Sequence, residues 1–219
     1  METTPFILNE YKAFSLQTKI AEAKLLFSET TFCCFPIVEN SHLIGVIAEN
    51  DIEGIDDTSD ILDNYRYLFN HFFIEEGANL LDIIKNFATN EANIAPILNS
   101  KHEYIGYYDL TEVLSSYNQT PFINNEGVVL LIEKETRDYS LSEVCQIVES
   151  NNGKISGVFI SESNSTKVKI TVKFNAQDVN EIIQSFRRYD YQVLSNLEED
   201  FYLEDLKDRS KYLRKYLNI

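Results

Sequence analysis

The sequence predicts a chain of mixed class, α/β followed by α+β, built from three small modules. Three observations carry this expectation. Two proline-centred strands, Phe35-Pro-Ile-Val38 and Ala95-Pro-Ile-Leu98, recur sixty residues apart with matching helices in front of them. From Gly127 onward the hydrophobic periodicity changes in the order strand, helix, strand, strand, helix, strand. A final segment, 198–219, places leucines at helical spacing among mixed charges.

In the first module Leu16, Ile20, Ala23 and Phe27 share one helical face, and in the second Leu80, Ile84 and Phe87 do. The sixty-residue offset also lays Glu22 on Asp82 and Phe27 on Phe87. Each proline strand is followed by a polar turn, Glu39 to His42 and Asn99 to Glu103, and then by an apolar strand containing a glycine, Gly45 or Gly106. Those glycines are 61 apart, so the second turn is one residue longer. A helix follows from about Asp51 and from about Leu110. Between the copies, Asp56 to Asn64 is polar and reads as a solvated connector; it lacks the glycine and terminal glutamate of a calcium loop.

Helix, x-P-h-h, hairpin, then h-h-G-h-h followed by an acid: this pattern, twice in register over about residues 5–120, resembles the CBS domain. That family folds as tandem β-α-β-β-α repeats and often binds adenosine compounds in the cleft between copies. The resemblance implies Ser or Thr three positions after the glycine and a ribose-gripping Asp six positions after. Here those positions hold Ala48 and Asp51 in the first copy, Asp109 and Glu112 in the second. These four are the candidate adenosine-binding residues. Asp51 also reads as a helix N-cap, satisfying free amides at a helix start.

In the next module Val128 to Ile132 is a continuous apolar run, as expected of a central strand. Ser140-Leu-Ser-Glu143 reads as a capping box in which serine and glutamate satisfy each other's backbone amides. Leu141, Val144, Cys145 and Val148 then fall at i, i+3, i+4 and i+7, which makes Cys145 a core residue, and Gly153 is the expected C-terminal cap. Val168, Ile170, Val172 and Phe174 alternate strictly with Lys169, Thr171 and Lys173. A second helix, capped near Asn175, carries Val179, Ile182, Ile183 and Phe186, and Tyr191 to Leu194 closes the sheet.

This βαββαβ order is ferredoxin-like, and with Arg137 to Val144 it resembles the ACT domain, whose members bind amino acids or dimerise in regulatory proteins. The family's Asp-x-Pro-Gly-Leu ligand turn corresponds here to Asp138, Tyr139, Ser140 and Leu141, with tyrosine for proline and serine for glycine. The order CBS, CBS, ACT is similar to the bacterial acetoin-utilisation accessory proteins. The expected divisions are 1–60 and 61–124 for the CBS repeats, 125–197 for the ACT-like domain and 198–219 for an amphipathic helix.

Composition narrows the function classes. The formal charge is −16, and residues 1–126 alone hold 20 acidic and 6 basic side chains. Such a surface repels phosphate backbones and anionic membranes, so neither nucleic acid nor membrane is an expected partner. Lysines are scarce around the repeats, which favours adenosine or AMP over ATP. No apolar run reaches the ~18 residues of a membrane span, and Met1 to Pro5 lacks a signal-peptide start, so a cytoplasmic protein is expected. Three cysteines with no C-x2-C spacing and three scattered histidines predict no metal site. Neither a phosphate loop nor a nucleophile elbow is present, so no enzyme and no resident cofactor are expected. The expectation is a homodimeric regulatory or sensor protein whose CBS pair binds an adenosine compound, the alternative being a ligand-free dimeric interaction scaffold.

Overall fold

A hairpin of β1 (Cys34–Glu39) and β2 (His42–Ala48) stands at the centre of the first repeat, with Pro36 opposite Val46. Its turn places Asn40 and Ser41 at φ 49° and 66°, the pair of left-handed residues that a two-residue hairpin turn requires. Before the hairpin runs α1 (Ile20–Glu29) and after it α2 (Glu49–Glu53). The second repeat has β3 (Ile74–Glu75), α3 (Leu80–Asn90), β4 (Ile94–Leu98), β5 (Tyr104–Asp109) and α4 (Leu110–Asn118). These belong to the first of two units, divided between Asn118 and Gln119, in a computed structural model that describes residues 6–195. The predicted tail helix with Leu203, Leu206, Leu213 and Leu217 lies outside the described residues.

The repeats exchange their edges. Phe14 makes a parallel bridge to Ile37, and Ile74, sixty residues on, pairs parallel with Ile97. The segment entering the first repeat pairs through Leu8 with Tyr107 of the second, by backbone bonds of 2.9 and 3.0 Å. Reciprocally, the segment entering the second pairs through Asn70 with Val46 of the first, at 2.8 Å in both directions. This crossing explains the two glycines. A Cβ on Gly106, whose φ is +151°, would lie 2.4 Å from the Leu8 carbonyl oxygen, and one on Gly45 would lie 2.8 Å from Phe69 Cβ.

The α1 face is buried as its spacing predicts, at Leu16, Ile20, Ala23 and Phe27. On α3 Phe87 is buried as expected, but Ile83 rather than Ile84 is buried with it, while Leu80 and Ile84 are half-buried beside them. Ile83 and Phe87 are one turn apart and form the centre line of the face, which leaves Leu80 and Ile84 on its flanks. At the hub of the first core Phe35 is 1% exposed and touches four rings, those of Tyr11, Phe14, Phe27 and Phe32, at centroid distances of 5.2–6.4 Å.

The second unit starts with α5 (Pro121–Asn124) and continues with β6 (Val128–Glu135), α6 (Leu141–Ser150), β7 (Lys154–Ser163), β8 (Lys167–Asn175), α7 (Val179–Arg188) and β9 (Gln192–Val193). Its four strands lie in the order β7-β8-β6-β9, every neighbour antiparallel, which is the ferredoxin-like arrangement expected. Val168, Ile170, Val172 and Phe174 are wholly buried with Leu130 and Ile132 against the inner faces of α6 and α7.

Four local expectations are corrected. Cys145 is half-buried on the flank of α6, because Val144, Ile147 and Val148 occupy the inward line. The capping box is half formed: Ser140 Oγ accepts from Glu143 N at 3.4 Å, but the Glu143 carboxylate accepts instead from Lys134 Nζ at 2.9 Å and Tyr191 OH at 2.8 Å. The Ser140 amide donates to Tyr191 OH at 3.3 Å, so one hydroxyl serves both groups. Lys134, and then Tyr191, hold the Glu143 carboxyl below the usual carboxylate range. After α6 the left-handed residue is Asn152, at φ 58°, while Gly153 is needed because a Cβ there would lie 2.6 Å from Val148 Cγ1. Finally, α7 is capped by Asp178, whose Oδ1 accepts from Glu181 N at 3.1 Å, three residues beyond Asn175.

Candidate functional site

Because the repeats are related by a sixty-residue offset and exchange edges, each has a flank bounded by the hairpin of one copy and the helix end of the other. The two flanks differ. On one, a cavity of about 520 Å³ opens between Val46, Ala48 and Asn50 of the first repeat and Thr89 to Ala92 of the second, with His71 and Phe72 from the entering segment and Cys33 and Cys34 at its wall. On the other flank the positions equivalent to Val46 and Ala92 are Tyr107 and Phe32. Those two rings meet edge to face at 5.8 Å, and Tyr11 packs on Phe32 at 5.7 Å while its amide donates to Tyr107 OH at 3.4 Å. Both rings are buried. Aromatic side chains fill one flank, and small ones leave the other open.

The open cavity is polar without being cationic. Its lining includes Glu91 and His71 but no lysine or arginine. Two cations of the first unit are engaged in other contacts: Lys24 Nζ donates to the carbonyls of Glu53 and Ile55 at 3.3 and 2.8 Å, and Arg66 pairs with Asp63 at 2.6 Å.

Beside the cavity-lining Cys33, Asn93, sixty residues on in the chain, bonds to it twice and to nearby Thr31 once. Its Oδ1 accepts from Cys33 N at 2.9 Å, its amide donates to Cys33 Sγ at 3.4 Å, and its Nδ2 donates to Thr31 O at 2.7 Å. The neighbouring Cys34 thiol is the main influence on Cys33 and, with the Asn93 amide, lowers its thiol to about 6 against opposition from burial and the Glu49 carboxylate. Cys34 is shifted upward by Cys33 and by burial, and its Sγ also faces Ile94 O at 3.6 Å.

Of the four candidate adenosine-binding residues, Ala48 lines the open cavity and occupies the N-cap position of α2 with no side-chain bond. Asp51 is half-buried in the first turn of α2, one residue beyond the cavity-lining Asn50; the cap assigned to it from sequence is therefore corrected by three positions. Asp109 caps α4: its Oδ1 accepts from Thr111 N at 2.6 Å and Glu112 N at 3.2 Å. Glu112 is exposed in that first turn. The structure thus brings Ala48 to the open flank, leaves Asp51 outside its lining in the turn beyond Asn50, and gives Asp109 a backbone task. His71, Phe72 and Asn90 to Ala92 were not singled out by sequence, although aligning Ala92 with Phe32 signals the difference between flanks.

In the second unit Asp138 is exposed in the turn before α6, Tyr139 is half-buried against the core, Ser140 caps the helix and Leu141 borders a shallow hollow with Cys145. A recess of about 990 Å³ lies elsewhere in this unit, between Asn125, Asn151, Lys154 to Ser156 and Asn175 to Asp178. Among the described residues no group of three His, Cys, Asp or Glu side chains is placed to hold a metal ion, and no helix is long and apolar enough to cross a membrane.

No family model and no curated relative matches the sequence. Among solved structures, a CBS domain pair/ACT domain protein from Thermotoga maritima is similar over 53% of this chain and 96% of its own, at 14% identity and a TM-score of 0.48. The CBS domains of a transcriptional regulator from Streptococcus pneumoniae match over 52% and 98%, at 13% identity and a TM-score of 0.46. CBSX2 in complex with AMP matches over 54% and 96%, at 15% identity and a TM-score of 0.46.

Proposed function

We propose that this chain is a non-catalytic cytoplasmic sensor whose first unit binds one adenosine compound, uncharged or monophosphate, in the open cavity between its repeats. The observation that carries the reading is the asymmetry of the flanks: one is filled by Phe32 and Tyr107, while the other keeps about 520 Å³, within the ~300–1,000 Å³ of small-molecule sites. The Phe72 ring and Val46 offer apolar wall to a base, and Asn50, Asn70 and Asn90 offer amide donors and acceptors. Asp51, one residue beyond the lining Asn50, is the carboxylate we assign to the ribose hydroxyls. A triphosphate meets Glu91 and no lining cation, so its charge is uncompensated there.

Calorimetry in metal-free buffer tests this. Adenosine and AMP should bind more tightly than ATP, and Asp51→Ala should weaken AMP binding by about 1.5–3 kcal/mol, the range for a hydrogen bond to a charged group. If ATP binds tightest the reading fails. Unchanged affinity in the Asp51 variant confines that residue to the first turn of α2.

A second reading, a dimeric interaction scaffold, is favoured by the outer face of the second unit's sheet. Val129 and Phe159 are 47% and 46% exposed on that face among the described residues, with Phe122 of α5 packing over Gly157 and 6.0 Å from the Phe159 ring. Burying that apolar strip against a second copy around a twofold axis would remove it from water. Light scattering should then give a dimer for the full chain and a monomer for Val129→Lys/Phe159→Lys. A monomeric full chain at micromolar concentration contradicts the dimer.

A further inference from the structure

The cavity wall holds a feature that ligand binding does not require: two adjacent thiols, one half-exposed and one buried, at the same opening. We propose that Cys33 is a site of thiol–disulfide exchange with small neutral or cationic disulfides, and that its adduct occupies the cavity. In the exchange the Cys33 sulfur attacks one sulfur of the disulfide. A new S–S bond forms, the disulfide's own S–S bond breaks, and the leaving half departs as a thiolate with the electron pair. Cys33 is oxidised and the leaving half reduced.

Three arrangements support this. The Cys33 sulfur is fixed by the Asn93 amide at 3.4 Å, a bond that stabilises a thiolate, and it opens on a cavity of about 520 Å³, room for the incoming half. Cys34 is poorly placed to expel the adduct. It is buried, its thiol is held protonated, and Cα atoms of adjacent residues are about 3.8 Å apart, short of the ~4.4 Å that a disulfide needs. The mixed disulfide therefore persists until an external thiol removes it. Charge selects the reagent: the Glu49 carboxylate of α2 acts on the sulfur, Glu91 after α3 lines the same cavity with its main-chain oxygen 3.8 Å from the sulfur, and beside His71 the lining holds no lysine or arginine. An anionic disulfide is repelled and a cationic one attracted.

The test uses the full chain and cystamine, with peptide mapping by mass spectrometry, and it is independent of whether adenosine binds. At pH 6 the larger thiolate fraction of Cys33 outweighs its lower nucleophilicity relative to free cysteine, so cystamine should modify Cys33 about tenfold faster than it modifies free cysteine. The advantage should shrink as pH rises toward the ordinary thiol range. An anionic aromatic disulfide should lose more of its rate than cystamine does when Cys33 rather than free cysteine is the target, and added salt should narrow that gap. Cys33→Ser should remove the fast phase, and the product should carry the added half-cystamine rather than a Cys33–Cys34 bridge. Equal rates at pH 6, first modification at Cys145, or a bridged product would each overturn the proposal. The mapping on the unaltered chain stands even if the serine variant misfolds.

Discussion

Phe35→Ala is expected to destabilise the first unit by about 3–5 kcal/mol, the range for emptying a buried phenylalanine site. Phe35 is 1% exposed and its ring bridges α1, through Phe27, to the approach of β1, through Phe32. The surrounding side chains come from several elements, so collapse around the hole would have to move more than one of them. That loss is a large share of the ~5–15 kcal/mol that separates a folded domain from its unfolded chain. Urea denaturation followed by tyrosine fluorescence should show the midpoint of the first unit's transition falling sharply in this variant. Leu25→Ala, on the 58% exposed side of α1, should stay within about 0.5 kcal/mol of the unaltered chain. Equal effects from the two substitutions would show that the ring cluster is not the centre of this core.

The second large effect concerns binding. Ala92→Phe combined with Val46→Tyr copies into the open flank the residues that fill the other, and should lower adenosine or AMP affinity by about 100-fold or more, since a filled cavity leaves the ligand no apolar surface to bury. The added atoms enter existing space, so melting temperature should change far less than binding. A folded double variant that binds like the unaltered chain would place the ligand outside this cavity.

Much of the fold was legible because it rests on periodicity. Pro36 and Pro96, Gly45 and Gly106, and Phe27 and Phe87 fixed the repeat, and the alternation from Val168 to Phe174 marked a strand with one face in the core. What escaped depends on contacts between residues far apart in the chain. Leu8 and Asn70 exchange edges through single bridges, which are too short to impose a pattern. Tyr191 reaches back 51 residues to take the Ser140 amide from Glu143, a competition no local motif reveals. Phe122 packs over Gly157 from a four-residue helix with no periodicity of its own.

For the site, the family pattern pointed to Ala48, Asp51, Asp109 and Glu112, one set for each copy. The folded chain divides them. Asp109 is committed to two backbone amides of α4, whereas Ala48, with no side-chain bond to give, leaves room beside Asn50. The reason is steric: Ala92 and Val46 are small where Phe32 and Tyr107 are large. Sequence alignment of the copies contains that difference, but its consequence appears only when the exchanged edges bring each pair together.

The most direct test of the account is the stoichiometry of binding. Equilibrium dialysis of AMP against the full chain, in metal-free buffer, should saturate at one ligand per chain, and Ala92→Phe/Val46→Tyr should abolish that site. Two ligands per chain, or one that survives the filled cavity, would contradict it.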